Sequence, residues 1–242
     1  MTDQALTMRS LPVGYGAIVF GASGGIGSAV AQLIAADARC GGLLQLHRGS
    51  SPPLELTDEA TIAAAAAHAL DSLGPAHLLF DATGILGGPQ GRPEKRLAEL
   101  DPAAMANSFA VNAIGPALLF KHFSACMPRQ CRAVFATLSA RVGSIGDNRR
   151  GGWIGYRASK AALNQVVRTA AIEIARQRPR AVCIALQPGT VATPLSAPYR
   201  SAGMPDVLEP AESARRLLAV LDRADPSLSG GFLDHRGHAI DW

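Results

Sequence analysis

The chain has 242 residues, of which 48% are hydrophobic, and it carries a formal net charge of +4 with a pI near 9.1. This length and apolar content suffice for one domain with a full hydrophobic core. The positive charge alone would suit nucleic-acid binding, but the arginines are scattered and no aromatic stripe lies among them, so we expect a solvated surface and no nucleic-acid partner.

The first ten residues lack the layout of a signal peptide, and we assign no segment as a membrane span, which predicts a cytoplasmic protein. We expect residues 1–10 to be a loose tail of a single domain that spans residues 1–242. Neither the cysteines nor the histidines have metal-ligand spacing, so we predict no metal site. The four cysteines lie in or beside apolar segments and are predicted to be buried, reduced thiols.

A glycine-rich turn follows the first predicted strand, 16–20, and precedes an alanine-rich helix predicted over 25–37. Glycine lets the backbone turn tightly and approach a pyrophosphate, which binds the free N–H groups at the start of a helix. This order of strand, turn and helix predicts a dinucleotide-binding element. The residues assigned to it are Gly21, Ser23, Gly25, Ile26 and Gly27.

Arg48 follows the second predicted strand, 42–46, at the place where an NAD enzyme usually carries a carboxylate for the ribose 2′-hydroxyl. No carboxylate is present there. Arg48, aided by His47, could instead pair with a 2′-phosphate through a charge-assisted contact. The alternative is an ordinary solvated arginine. The sequence thus favours NADP(H) over NAD(H) as the cofactor.

Tyr156 and Lys160 lie one helical turn apart in a helix predicted over 153–177, which places both side chains on one face. The chain has only three lysines and three tyrosines, so chance rarely produces such a pair. A nearby ammonium group favours the phenolate, so we predict that Lys160 lowers the pKa of Tyr156. Such a tyrosine is suited to proton transfer at a carbonyl or an alcohol.

Strands and helices alternate along the rest of the chain. Further strands are predicted near 54–56, 77–81, 131–138, 181–187 and 231–234, and further helices near 58–72, 101–127 and 211–222. This alternation predicts an α/β fold, a doubly wound and mostly parallel sheet of seven strands with helices on both faces. Ligands of such sheets bind at the carboxyl ends of the strands, where Gly21, Asp81, Ser139 and Pro188 fall.

Five motifs in this order resemble the short-chain dehydrogenase/reductase superfamily. They are the glycine turn 21–27, the segment Asp81-Ala82-Thr83-Gly84, Asn112, the pair Tyr156 and Lys160, and the segment 188–193. The segment 139–148, the Gly-Gly-Trp run before Tyr156 and the ending 230–242 resemble, more narrowly, its C-factor-like and carbonyl-reductase-like branch. The resemblance covers almost the whole chain. It implies a Rossmann-type fold and hydride transfer between NADP(H) and a small carbonyl or secondary alcohol, without a metal.

The resemblance also implies roles for single residues. Tyr156 would be the acid/base, Lys160 would in addition bond the nicotinamide ribose, and Asn112 would hold a water in a proton relay. Further cofactor contacts would come from Leu56, Ala82, Thr83, Gly84, Pro188, Gly189, Val191 and Thr193.

One position departs from the pattern of the family. The family serine that orients the substrate oxygen corresponds to Ala140, so Ser139 or Ser144 would have to replace it. Side chains alternate along a strand, so Ser139 points to the other face unless the strand end bulges. A second hypothesis therefore stays open, a cofactor-binding scaffold or signalling protein with weakened catalysis.

The helices 101–127 and 153–177 carry more apolar positions than one sheet-facing stripe needs. We expect the second apolar face to be buried between copies of the chain, which predicts a homodimer or a homotetramer. The identity of the substrate, the direction of the reaction and the choice between these assemblies stay open.

Overall fold

The computed structural model describes residues 7–87, 92–200, 203 and 205–242. Its strands are β1 (Tyr15–Phe20), β2 (Cys40–Leu46), β3 (Ala76–Asp81), β4 (Ala133–Leu138), β5 (Ala181–Gln187), β6 (Thr190–Val191), β7 (Val207–Leu208) and β8 (Phe232–Asp234). Six of them form a parallel sheet in the order β2-β1-β3-β4-β5-β8. The other two, β6 and β7, pair with each other beside it.

Helices cover both faces of the sheet. They are α1 (Gly25–Ala35), α2 (Glu59–Leu73), α3 (Pro102–Phe109), α4 (Gly115–Phe123), α5 (Ile154–Gln177) and α6 (Pro210–Arg223). Side chains alternate along β1, so Ile18 and Phe20 pack with α2, α4 and α5, whereas Ala17 and Val19 pack with α1 and α6. The predicted doubly wound, Rossmann-type α/β fold is confirmed.

The main sheet has six strands, and the strand predicted near 54–56 is wrong. Leu54 and Leu56 are buried in the core, but they lie in an irregular segment that pairs with no strand of the described sheet. Pro52 and Pro53 come just before it, and proline has no N–H to give to a ladder. Apolar character at 54–56 therefore reflects burial of a loop under the helices.

The predicted loose tail is wrong for residues 7–10, and residues 1–6 lie outside the described part. The Met8 side chain is fully buried. Its backbone N–H donates to Asp37 Oδ2 at 2.9 Å, and the N–H of Ser10 donates to Asp222 Oδ1 at 2.8 Å. These contacts fix the chain just before β1 against α6 and the loop after α1.

A π-helical turn, Ala110–Ile114, joins α3 and α4 within the predicted helix 101–127. Asp101 caps the start of α3 by accepting the Ala104 N–H at 2.7 Å. In an α-helix Pro116 would donate to the carbonyl of Asn112, but proline has no N–H. The Asn112 carbonyl thus lacks its normal helical partner at the point where the helix changes its winding.

By length and composition alone, the helical run Pro102–Cys126 could cross a membrane, since it has 25 residues and its most apolar 18-residue stretch has a mean hydropathy of 1.4. Core helices of soluble proteins meet the same criteria. Here Leu119, Phe120 and Phe123 pack into the cluster under the sheet. We take the run as a core helix.

All four cysteines are free. Cys126 and Cys183 are buried, as predicted, and Cys40 is partly so. Cys131 is exposed instead, because it lies in the loop just before β4.

Candidate active site

A cleft of about 470 Å³ opens along the carboxyl edge of the sheet. Residues from the ends of β1, β3, β4 and β5 and from the start of α5 line it. The predicted site residues on its wall are Ser23, Gly25, Ile26, Arg48, Ala82, Thr83, Gly84, Ser139, Tyr156, Lys160, Pro188 and Thr193. Segments far apart in sequence thus meet in one place, as the positions of the strand ends predict.

The glycine turn shapes one end of this cleft. Gly21 has a φ of +72°, and a Cβ on Gly27 would lie 2.2 Å from the carbonyl oxygen of Gly21, so both positions require glycine. Gly24 is the N-cap of α1 and provides no side-chain cap. Backbone N–H groups at the start of α1 are therefore available to an anion, and the turn fits the pyrophosphate of a dinucleotide.

Five predicted cofactor contacts are not on the cleft wall: Gly21 and Gly27, which shape the turn, and Leu56, Gly189 and Val191. Leu56 is buried against Gly115, where a Cβ would lie 2.7 Å from the Leu56 Cβ. Val191 is buried in β6, and Gly189 turns the chain behind Pro188 with a φ of +85°. The residues of the wall that the sequence did not predict are Gly24, Ile85, Leu138, Pro194 and Leu195. Each lies within two residues of a predicted site residue, so its position beside a motif could have identified it from the sequence.

Tyr156 and Lys160 share one face of α5, and Lys160 Nζ lies 6.0 Å from the centroid of the Tyr156 ring. Lys160 is 4% exposed, and its Nζ donates to the carbonyl oxygen of Leu138 at 2.9 Å. Burial raises the pKa of Tyr156 to about 12. Burial also lowers the pKa of Lys160 to about 8, and the negative charge of Asp81 opposes that shift.

The predicted lowering of the Tyr156 pKa is thus wrong for this structure. The lysine ammonium is directed to Leu138, so desolvation of the half-buried phenol outweighs its attraction. The shift keeps the phenol protonated at neutral pH. The group can donate a proton there, whereas a phenolate base forms only at high pH.

Asn112 lies on the π-helical turn with its side chain fully buried. Its Oδ1 accepts the Ile85 N–H at 2.9 Å, and its Nδ2 donates to the Ile85 carbonyl at 3.0 Å and to Ser159 Oγ at 3.1 Å. The side chain thereby ties the loop after β3 to α5, three residues from Tyr156. These bonds hold the loop and the helix together at the site.

Neither candidate serine presents a free hydroxyl donor to the cleft, because Ser139 donates elsewhere and Ser144 is not on the cleft wall. Ser139 lines the cleft, but its Oγ is directed to Asn164 and donates to Oδ1 at 2.7 Å. Ser144 is buried, and its Oγ accepts the Asp147 N–H at 3.1 Å. Ala140, at the family serine position, has no hydroxyl to offer. The alternation of side chains along β4 predicts this direction for Ser139.

Trp153, which the sequence analysis did not assign to the site, stands beside Tyr156. It has a φ of 53°, and its N–H donates to the Glu94 carbonyl. The Glu94 carboxylate also accepts the N–H of Gly155. The Trp153 ring lies 6.3 Å from the Tyr156 ring and 5.1 Å from that of Tyr199. These aromatic rings form a cluster beside Tyr156.

Arg48 is exposed on the wall of the cleft beyond β2. His47 shapes the same loop, since its Nδ1 accepts the Gly49 N–H at 3.1 Å. A cationic side chain therefore lines the same cleft as the glycine turn, with no carboxylate in the stretch 43–48.

Comparisons with known proteins agree with this geometry. The profile of the family described as enoyl-(acyl carrier protein) reductase matches residues 43–224. The C-signal of Myxococcus xanthus is 34% identical over 173 residues, which are 70% of this chain and 94% of that protein.

Two solved structures with bound cofactor are also similar. The NADPH-bound carbonyl reductase from chicken fatty liver superposes with a TM-score of 0.83 at 25% identity, over 97% of this chain and 96% of that one. A short-chain dehydrogenase/reductase from Burkholderia multivorans with bound NADP has a TM-score of 0.76 at 25% identity, over 94% and 99% of the two chains. The chain therefore belongs to the superfamily of NAD(P)-dependent short-chain dehydrogenases/reductases, in its carbonyl-reductase-like branch.

Proposed function

We propose that this protein reduces a small carbonyl compound with NADPH and that Tyr156 is the proton donor. The observation that carries the proposal is the meeting of Tyr156 and Lys160 in the cleft that the glycine turn closes at its other end. With its pKa raised to about 12, the Tyr156 phenol is protonated at neutral pH and can act as the proton donor in the direction of reduction.

Each part of the cleft has its own task in this reaction. NADPH, when bound, supplies a hydride from C4 of its nicotinamide. The start of α1 binds the pyrophosphate, and Lys160 donates to the nicotinamide ribose. Tyr156 Oη donates its proton to the carbonyl oxygen of the substrate as that oxygen gains negative charge. Trp153, whose ring lies beside that of Tyr156, would face the substrate.

Tyr156 must regain its proton after each turnover. Lys160 adjoins the phenol, and Asn112 lies behind it with a backbone carbonyl that Pro116 leaves without a helical donor. We assign this carbonyl to a water that passes protons towards Lys160. The Asn112 side chain acts indirectly, because its bonds to Ile85 and Ser159 hold the helices in place.

NADP(H) is the cofactor we propose over NAD(H). Arg48 on the cleft wall supports it, because a guanidinium pairs well with the 2′-phosphate that distinguishes the two. The similar chicken and Burkholderia proteins were solved with NADPH and NADP.

Oxidation of NADPH, followed by its absorbance against a panel of aldehydes, ketones, quinones and dicarbonyls, tests the activity. Tyr156→Phe should abolish nearly all turnover and leave the affinity for NADPH little changed, because only the proton donor is lost. Tyr199→Phe is the matched control, since it makes the same change in a neighbouring ring. Turnover of Tyr156→Phe within threefold of the wild type would exclude the mechanism.

A signalling or scaffold role is the second candidate. The similarity to C-signal favours it, as does a cleft wall on which Ser139 donates to Asn164 and Ser144 does not lie. Such a protein would bind NADPH with ordinary affinity and turn over no member of the panel. Turnover that depends on Tyr156 would exclude it as the sole function.

We further propose a homodimer in the cytoplasm. A groove between α4 and α5 is lined by Phe120, Val166, Ala170 and Ile174, and Ile172 on α5 is 52% exposed. A second copy would cover this apolar surface. The four free cysteines suit a reducing compartment.

A further inference from the structure

Asp81 is a fully buried carboxylate at the end of β3, where the family motif Asn-Asn-Ala-Gly has an amide. Three donors surround it. Its Oδ1 accepts the N–H of Thr83 at 2.9 Å and the Thr83 hydroxyl at 2.5 Å, and its Oδ2 accepts the Thr137 hydroxyl at 2.6 Å. Both oxygens thus act as acceptors, which is the hydrogen-bond pattern of an ionised carboxylate. Burial raises the pKa of the Asp81 carboxyl, and the bonds from Thr137 and Thr83 and the charge of Lys160 oppose that shift.

Lys160 occupies the same strand end. Asp81 is the register partner of Thr137 across β3 and β4, and the carbonyl that Lys160 Nζ contacts belongs to the next residue, Leu138. A Cβ on Gly84, three residues after Asp81, would lie 3.3 Å from Lys160 Nζ. The lysine and the carboxylate are both buried, and they interact electrostatically.

We infer that Asp81 is a positioning residue, the counter-charge that keeps the buried Lys160 ammonium protonated for its work beside Tyr156. The effect of Asp81 on catalysis rests on the proposed function, whereas its effect on the charge of Lys160 is independent of that function.

The physical reason lies in the desolvation of Lys160. Burial favours the neutral amine, and the carboxylate of Asp81 acts in the opposite direction. Among the described residues, the titratable groups at Lys160 are Tyr156 on its own helix and Asp81 on β3. Tyr156 is neutral below its pKa of about 12 and adds no charge there. Without Asp81 the lysine would therefore lose its proton at a lower pH, and its bond to a ribose would weaken.

The chain has only three lysines, Lys95, Lys121 and Lys160. When the protein is labelled with 13C at lysine Cε, its NMR spectrum therefore contains three lysine resonances whose pH titration can be followed. Lys160→Arg identifies the resonance of Lys160 by its loss. The wild-type midpoint should lie near pH 8. In Asp81→Asn, which keeps the shape and removes the charge, it should fall by about 1 pH unit or more, the size of effect that a close opposite charge produces.

Glu173→Gln is the control, because it removes an exposed carboxylate from the same helix, α5. It should leave the Lys160 midpoint unchanged, and Lys95 and Lys121 should not move in either variant. If Asp81→Asn does not fold, Asp81→Glu and Asp81→Gln can be compared, because their side chains have nearly the same size and differ in charge. The titration midpoint of Lys160 should be higher in Asp81→Glu than in Asp81→Gln.

An unchanged or raised Lys160 midpoint in the neutral variants would overturn the inference, as would an equal fall in Glu173→Gln. The titration needs no turnover, so a protein that reduces no carbonyl still decides this question. Conversely, loss of activity in Tyr156→Phe tests the proposed function without involving Asp81.

Discussion

Replacing Ala140 by serine should create the hydroxyl that the cleft lacks. Ala140 is half-buried just beyond the end of β4, at the position that corresponds to the family serine. A hydrogen bond to a group that carries charge contributes about 1.5–3 kcal/mol. Since about 1.36 kcal/mol is a factor of ten in rate, Ala140→Ser should raise kcat/KM for carbonyl reduction by about 10- to 150-fold.

The matched control is Ser139→Ala, one residue away. Ser139 donates to Asn164 at 2.7 Å, and Asn164 is only 3% exposed, so its loss leaves a buried acceptor unpaired. We expect a loss of about 1–3 kcal/mol in the free energy of unfolding. The kcat/KM of the folded fraction should change little.

The assay is NADPH oxidation with a substrate from the carbonyl panel, together with urea unfolding of each variant. The NADPH affinity of Ala140→Ser should match the wild type, because the new hydroxyl faces the substrate. If Ala140→Ser has wild-type kcat/KM while Ser139→Ala loses turnover without losing stability, Ser139 is the substrate-orienting hydroxyl and our assignment of its direction is refuted.

Three further predictions concern the cofactor, the pH range and the assembly. Arg48→Ala should weaken NADPH binding by about 1.5–3 kcal/mol and scarcely affect NADH, and an equal loss for both would show that Arg48 does not contact the 2′-phosphate. Carbonyl reduction should decline as the pH rises through about 8, because the lowered pKa of Lys160 makes the amine neutral above that value while Tyr156 stays protonated. If the rate of reduction does not change across that pH range, the reaction does not need the Lys160 ammonium. Light scattering should give about twice 25.1 kDa or a multiple of it, and a monomer would mean that the groove between α4 and α5 stays open.

The placement of the cleft could be predicted from the sequence because it depends on backbone rules. Gly21 is required by its left-handed φ, and Gly27 is required because the carbonyl oxygen of Gly21 lies too close for a side chain. Such requirements can be recognised in the sequence as a fixed spacing of glycines. The helical period alone brings Tyr156 and Lys160 to one face. Parallel strands then bring their carboxyl ends to one edge, whatever the side chains of the core.

Properties that depend on tertiary surroundings were not predictable. The pKa of Tyr156 follows from how much protein surrounds the phenol and from the bond that turns Lys160 towards Leu138. Burial of Met8 depends on Asp37, 29 residues later, which accepts its N–H. The stretch 54–56 is buried but pairs with no strand of the described sheet. Hydrophobicity alone does not distinguish a buried loop from a buried strand.

The two departures from the family pattern, Ala140 and Asp81, bear differently on the choice between enzyme and scaffold. Loss of a serine hydroxyl at Ala140 fits either one. A buried carboxylate beside a buried lysine is different, because desolvating two charges costs free energy that well-packed apolar residues would avoid. A scaffold that only binds the cofactor would use the ammonium of Lys160 for the ribose alone. An enzyme would use it for the ribose and also for proton return to Tyr156. The pair of Asp81 and Lys160 thus favours a working active site over a fold that has lost its chemistry.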